Sequence, residues 1–331
     1  MSLLPVMCYL QMVIFAFVAL SFIGSTNGSN ILFLTPITFP SHSNFIKPVV
    51  KELDERGHFV TYWNGLETKL ITSKNTTNLR ILNSPNLNRL NVNHNVDFND
   101  RDSPFRLFFD FPNRMATYCN AIYEDPVFHQ LANSKEHYDL IVVEGTFNEC
   151  VLQLVRIFDA PFVYMHSIAP TPWLLDTIAS PLSFSHFPYP AYNFDDEMNF
   201  WQRILNAKSG LIGLYFYRWF VAPVAERIAF EMLGADNITT IQEIEDRYLS
   251  LLILNTHFSI NFQLPTTSSV IEVGGLHCAP AKALPEVSHL VYNVVIIITC
   301  QFLLTGFGRI CSGFRRCWIH HCQFRFHPKR C

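Results

Sequence analysis

The stretch Asn30-Ile-Leu-Phe-Leu-Thr-Pro36 is a short apolar run stopped by proline, and it reads as a buried strand. After a loop over residues 37–42, Phe45, Val49 and Leu53 recur at helical spacing, with Pro48 close enough to the first turn to be tolerated. Arg56-Gly57 is a helix stop with a basic last turn, and His58 to Trp63 is the next strand. Strand, loop, helix, glycine stop and strand make a βαβ unit, so the expected fold is α/β with a Rossmann-like parallel sheet.

The alternation returns downstream. Tyr138 to Glu144 is a second apolar strand closed by a carboxylate, Phe147 to Phe158 carries a helical face, and Pro161 to Ser167 is again strand-like. Leu251 to Asn255 and Val270 to Val273 read as two more strands. Residues 196–233 read as mostly helical, broken near Ser209-Gly210 and at Pro223. Residues 68–104 show no clear period, 105–112 is an aromatic stretch, and 173–192 reads as a loop rich in proline and aromatics.

The 331 residues are enough for one large core. Formal net charge is -3, and six of the 24 Lys/Arg fall after residue 308, so the rest of the chain is acidic and does not suggest a nucleic-acid binder. Only 15% of residues are charged, against the usual ~25%. Residues 3–23 carry no charge and are followed by small polar residues, which reads as a signal peptide over 1–28. Secretory entry makes Asn75-Thr-Thr and Asn237-Ile-Thr candidate glycosylation sites. Cys119, Cys150 and Cys278 are too few for a disulfide framework, so the core is expected to rest on burial and not on covalent staples.

In open α/β sheets, ligands bind beyond the carboxyl ends of the strands. His42 lies after the first strand and Glu144 closes the strand at 138–144. An imidazole that takes a proton needs its other nitrogen held by an acceptor, and a carboxylate on a nearby strand end supplies one. His166 also ends a strand. A lone loop histidine or strand-ending glutamate is equally compatible with a solvated side chain, so spacing alone leaves the pair open. No Gly-x-Gly-x-x-Gly, Walker loop, Gly-x-Ser-x-Gly or His-Glu-x-x-His pattern occurs. Cys311, Cys317, His320, His321 and Cys322 fit no common zinc spacing, and no metal site is expected.

Ser41-His42 through Phe45, Pro48, Lys51-Glu-Leu and Arg56-Gly-His-Phe-Val-Thr61, with Tyr138 to Glu144, Asn148-Glu-Cys150, Asp159-Ala-Pro161, Phe200-Trp-Gln-Arg203 and Val273-Gly-Gly-Leu-His277, resembles the UDP-glycosyltransferase superfamily in its glucuronosyltransferase-like, insect-type branch. The resemblance covers about residues 30 to 285 and implies the N-terminal, acceptor-binding half of a GT-B fold, spanning residues 29–285. It implies transfer of a hexosyl group, glucose or glucuronate, from a UDP-sugar to a hydroxyl of a small lipophilic acceptor. The transfer would invert the anomeric centre, with His42 as general base, Glu144 orienting it, and no cofactor or metal beyond the UDP-sugar as co-substrate. The aromatic loops would line the acceptor pocket, with Phe109, Phe111, Trp173, Phe187 and Tyr192 as its residues.

The Gly-rich donor signature that the resemblance calls for does not occur, and only 46 residues follow Pro285, so a UDP-sugar site is not expected within the sequence. Residues 286–331 read as a divergent tail. Its segment 290–308 is uncharged and near the length of a membrane span, with basic residues after it. The alternative expectation is therefore a truncated, non-catalytic module that binds acceptors or forms homo- or hetero-oligomers with full-length relatives. The expected location is the secretory pathway, in the lumen of the endoplasmic reticulum and associated with its membrane.

Overall fold

The computed structural model describes residues 28–67, 78–93, 109–189, 192, 194–195, 197–234, 238–257 and 261–278. The expected signal peptide up to residue 27, both candidate glycosylation asparagines, Asn75 and Asn237, and the expected tail lie outside the described residues. All of the described residues except Cys278 belong to one compact unit that ends at His277.

Seven strands form one parallel sheet: β1 (Asn30–Thr35), β2 (Phe59–Asn64), β3 (Leu79–Asn83), β4 (Leu140–Glu144), β5 (Phe162–His166), β6 (Leu249–Leu254) and β7 (Val270–Glu272). Their spatial order is β3-β2-β1-β4-β5-β6-β7. The chain winds outward in one direction from β1 and in the other from β4, so the switch in winding falls between β1 and β4. That is where an open α/β sheet leaves a crevice for ligands.

Alternate strand residues feed two cores. Phe33, Tyr62, Val142 and Met165 pack with Phe45, Ile46 and Val50 of α1 (Pro40–Glu55) on one face. Leu32, Leu34, Trp63, Ile141 and Val143 pack on the other face against the remaining helices. With both faces covered, β1, β4 and β5 are buried along nearly their whole length, which accounts for their unbroken apolar runs.

The structure differs from the sequence expectations in several places. Helix α1 begins at Pro40, so His42 stands in its first turn and not in a loop. Pro40 suits that start because its missing N–H would be unsatisfied there in any residue. Pro48 then lies inside the helix, where it removes one hydrogen bond, and burial of Phe45, Ile46 and Val50 on the same helix offsets that loss. The segment read as without period contains β3 and α2 (Pro85–Asn93), and α3 (Phe111–Tyr123) starts at the end of the aromatic stretch, followed by α4 (Pro126–Ala132).

Downstream of β4 come a 3₁₀ turn (Glu149–Val151), α5 (Leu152–Phe158) and α6 (Pro172–Thr177), the last within the expected loop. The long helical region begins with α7 (Phe200–Phe216), whose start is fixed by an Asn199/Gln202 capping box. It is not broken at Ser209-Gly210. It continues through a π turn (Tyr217–Val221) into α8 (Ala222–Leu233), where Pro223 occupies the tolerated first turn. A second capping box, Thr240/Glu243, opens α9 (Ile241–Tyr248).

The expectation that no covalent staple supports the core is corrected. Cys119 of α3 and Cys150 of the 3₁₀ turn form a buried disulfide with Cα atoms 5.5 Å apart. Two cysteines that share a core need not belong to a larger framework. Closing a loop of 31 positions in sequence lowers the entropy of the unfolded chain; this contributes about 3–4 kcal/mol. The bridge ties α3 to the turn just after β4, beside the crevice.

Candidate active site

The crevice is built from two chain segments. The first is the β1–α1 connection, which ends in the first turn of α1 and presents His42. The second is the turn after β4, Glu144-Gly145-Thr146-Phe147-Asn148. His42 and Glu144 are both buried, and His42 Nδ1 lies 2.9 Å from Glu144 Oε1. The glutamate side chain spans the gap from the end of β4 to the first turn of α1.

The carboxylate is held from every side. Oε2 accepts the Thr146 backbone N–H at 2.9 Å and Asn148 Nδ2 at 3.1 Å, and Oε1 accepts the Thr146 hydroxyl at 3.1 Å. A buried carboxylate is tolerated only with such a set of donors. Asn148 also accepts from Ile37 N–H at 3.0 Å and donates to Ile37 C=O at 2.8 Å. One side chain therefore clamps the β1–α1 connection to the β4 turn, fixing the approach to His42 relative to the carboxylate. The Phe39 ring meets the imidazole edge to face, with centroids 5.2 Å apart, and limits its tilt.

Two backbone features shape the turn. A Cβ at Gly145 would come within 2.9 Å of His166 Nδ1, so only glycine lets the turn pass that ring without displacing it. Phe147 adopts a left-handed backbone, φ 58°. Its ring then packs edge to face on Phe111 at 5.1 Å and against Tyr118 at 5.3 Å.

The sequence-derived residues separate as follows. His42 and Glu144 come together. Phe111 and Trp173 join one aromatic cluster, which also holds Phe147 and, stacked on Trp173 at 4.7 Å, Tyr217. Phe187 lines a separate apolar cleft with Phe184, Tyr189, Leu175 and Leu264. Tyr192 stacks on Phe194, and its hydroxyl lies 2.7 Å from Ser209 Oγ of α7. Phe109 is exposed and rests on Phe216. His166 is buried beneath the Glu144 turn, and burial holds its imidazole down to about 4 against the pull of Glu144. It is therefore a neutral packing residue.

The sequence reading missed Thr146 and Asn148 as ligands of Glu144. The available signal was polar side chains two and four residues after a strand-ending glutamate, within reach of a carboxylate that the strand buries. Among the described residues no group of three or more His, Cys, Asp or Glu is placed to hold a metal ion.

Behind the crevice, two acids pair with tyrosines. The Tyr217 hydroxyl donates to Glu149 Oε1, and the Tyr164 hydroxyl donates to Glu245 Oε1 at 2.8 Å. Burial pushes each carboxyl up to about 7. An acid whose folded pKa is raised contributes stability that is present below the unfolded value near 4.5 and lost as pH rises through about 7. Glu149→Gln is therefore expected to flatten the decline between pH 5 and pH 8 by about 2 kcal/mol. Urea midpoints across that range measure it, and parallel profiles for variant and parent would contradict the assignment.

A family model described as "UDP-glucoronosyl and UDP-glucosyl transferase" matches residues 31–294. UDP-glycosyltransferase UGT5 of Dactylopius coccus is 28% identical over 293 residues, covering 83% of this chain and 52% of that protein. UDP-glucuronosyltransferase 2B7 of Homo sapiens is 27% identical, covering 74% of this chain and 49% of that protein. The chain spans about half the length of the curated relatives it matches.

Likeness to solved structures is loose. The calicheamicin glycosyltransferase CalG4 gives a TM-score of 0.37 at 16% identity, covering 75% of this chain and 53% of that one. Medicago truncatula UGT71G1 complexed with UDP-glucose gives 0.36 at 10% identity, covering 82% and 57%. The family match runs through the strands, the first turn of α1 with His42 and the Glu144 turn, and the chain belongs to the UDP-glucoronosyl and UDP-glucosyl transferase family.

Proposed function

We propose that these residues form the acceptor-binding, proton-abstracting side of a transfer from a UDP-sugar to a hydroxyl of a small lipophilic acceptor. The observation that carries this reading is the buried His42–Glu144 contact at 2.9 Å, set at the switch point of the sheet. Glu144 is satisfied as an acceptor by Thr146 and Asn148, so His42 Nδ1 faces it as a donor. That tautomer leaves Nε2 with its lone pair free for the acceptor hydroxyl.

The proton passes from the acceptor hydroxyl to Nε2 as the hydroxyl oxygen forms its bond to the anomeric carbon. The bond from that carbon to the UDP oxygen breaks, and UDP leaves with the electron pair. Attack from the face opposite UDP inverts the anomeric centre. Glu144 stabilises the imidazolium without taking the proton. The co-substrate is the UDP-sugar, and no further cofactor enters. Half the relatives' length lies beyond the match, so the transfer belongs to the whole protein and the present residues supply the acceptor side of it.

The test is to incubate the protein with UDP-glucose or UDP-glucuronate and a panel of lipophilic phenols and alcohols. Product mass and anomeric coupling are then read. An α-linked UDP-sugar is expected to give a β-linked product. A product that retains the α-configuration would overturn a single displacement with His42 as base. Calorimetry on the chain itself locates the donor site, because micromolar UDP-sugar affinity would place that site within this chain and contradict an acceptor-side role alone.

A further inference from the structure

Helix α7 is folded inside out. At 100° per residue, Trp201, Ile204, Leu205, Leu211, Ile212 and Tyr215 share one arc, and all are exposed, Trp201 at 74%. The π turn continues the surface with Trp219 at 67%. The buried arc is mostly polar or small, Asn206, Ser209, Gly210 and Gly213, with Leu214 as its one large apolar side chain.

This orientation is locked. Asn206 Nδ2 donates to Phe184 C=O at 2.7 Å and Phe187 C=O at 2.9 Å, while its Oδ1 accepts the Tyr189 N–H at 2.6 Å. A Cβ at Gly210 would stand 2.1 Å from the Phe184 ring, and one at Gly213 would stand 2.7 Å from the Tyr189 hydroxyl. Rolling the apolar arc inward would break these bonds and drive large side chains into that loop. The 17-residue helix holds the stripe over about 25 Å, and exposed apolar surface on that scale marks a docking site.

We propose that α7 and the following π turn lie flat on the surface of a lipid bilayer that contains anionic headgroups. The stripe has the composition of an interfacial helix: tryptophan, tyrosine and aliphatic side chains with a single charge, Lys208. No acidic residue occurs between Glu197 and Glu226. Lys208 lies near the middle of the stripe. Two-fold pairing of two copies about that centre would set one ammonium against the other, whereas at a bilayer the stem covers apolar surface and the ammonium reaches a phosphate. Among the described residues no helix is long and apolar enough to cross a membrane, so this surface rests on a bilayer and does not span it. The uncharged apolar runs at 3–23 and 290–308 are further membrane-compatible sequence in the same chain.

The test uses the full chain with phosphatidylcholine–phosphatidylserine vesicles carrying brominated acyl chains. In a Trp173→Phe/Trp318→Phe background the one other tryptophan is Trp63, buried in the core, so strong bromolipid quenching is expected from Trp201 and Trp219. That quenching should disappear in Trp201→Phe/Trp219→Phe, which keeps the face apolar and still sediments with vesicles. Trp201→Ser/Ile212→Ser should weaken vesicle affinity by about tenfold or more, or, if other segments hold the chain, should release the helix to aqueous iodide. Trp201 and Trp219 staying open to iodide on the vesicle-bound background protein would overturn the proposal. So would a lipid-free dimer that shields them.

Discussion

His42→Ala is expected to lower glycosyl transfer by the whole transferase about 10²–10⁴-fold while leaving acceptor affinity nearly unchanged. The imidazole sits in the first turn of α1, with Nδ1 committed to Glu144 and its ring braced by Phe39. On the proposed reading, truncation removes the group that takes the hydroxyl proton and leaves the aromatic clusters in place. The loss should therefore appear in kcat with little change in acceptor binding. Stability should change by less than for a core truncation, because Glu144 keeps its three donors from Thr146 and Asn148. Steady-state kinetics and acceptor titration separate the two effects. Turnover at the parent rate would remove His42 from the base role.

Glu144→Gln is expected to reduce turnover by a similar factor, for a different reason. The carboxylate faces donors at both oxygens: Thr146 N–H and Asn148 Nδ2 at Oε2, His42 Nδ1 and the Thr146 hydroxyl at Oε1. Glutamine offers one acceptor oxygen and one NH₂ group. With its oxygen toward Thr146 and Asn148, the NH₂ faces Nδ1. His42 must then accept there and carry its proton on Nε2, which can no longer act as a base. With the oxygen toward His42, the Thr146 N–H loses its acceptor, at about 1–3 kcal/mol, while Asn148 Nδ2 keeps the Ile37 and Thr146 carbonyls. Turnover should fall about 10²–10⁴-fold in the first case, the wrong-tautomer effect seen when a carboxylate orients a histidine base. In the second case the variant should also lose about 1–3 kcal/mol of stability. Full activity with parental stability would show that the carboxylate neither orients the histidine nor needs its charge.

The legible parts of the fold were those where local pattern and tertiary role coincide. A strand buried on both faces must be apolar throughout, so β1, β4 and β5 stood out as uninterrupted runs. Helix α3 was hidden because Met115, Tyr118, Cys119 and Ile122 follow the helical period in a segment that begins as an aromatic cluster. The disulfide was hidden for the same reason, since its first cysteine is a core position of that helix. Helix α7 defeats pattern reading from the other side. Ser209-Gly210 looks like a breaker, but those residues face Tyr192 and Phe184, where small side chains are needed.

At the site, the positions of His42 and Glu144 were readable because each closes a strand–helix connection at the carboxyl end of the sheet. Their contact was not readable, because it depends on β1 and β4 being neighbours. The carboxylate's ligands Thr146 and Asn148 were missed because a five-residue turn gives no periodic signal, and its left-handed Phe147 carries no glycine to announce it. The acceptor aromatics were read as one group. The helices divide them among a cluster at Trp173, a cleft at Phe187 and the exposed face beside Phe216.

The central claim is that Glu144 holds His42 with its proton on Nδ1 and its lone pair on Nε2. Long-range ¹H–¹⁵N correlation spectra of imidazole-labelled chain test it directly, with the His42 signals assigned by their loss in His42→Gln. The expected spectrum at neutral pH has a protonated, hydrogen-bonded Nδ1 and an unprotonated Nε2, and this pattern should change in Glu144→Gln. A proton found on Nε2 with Nδ1 bare, or signals indifferent to Glu144→Gln, would contradict the account.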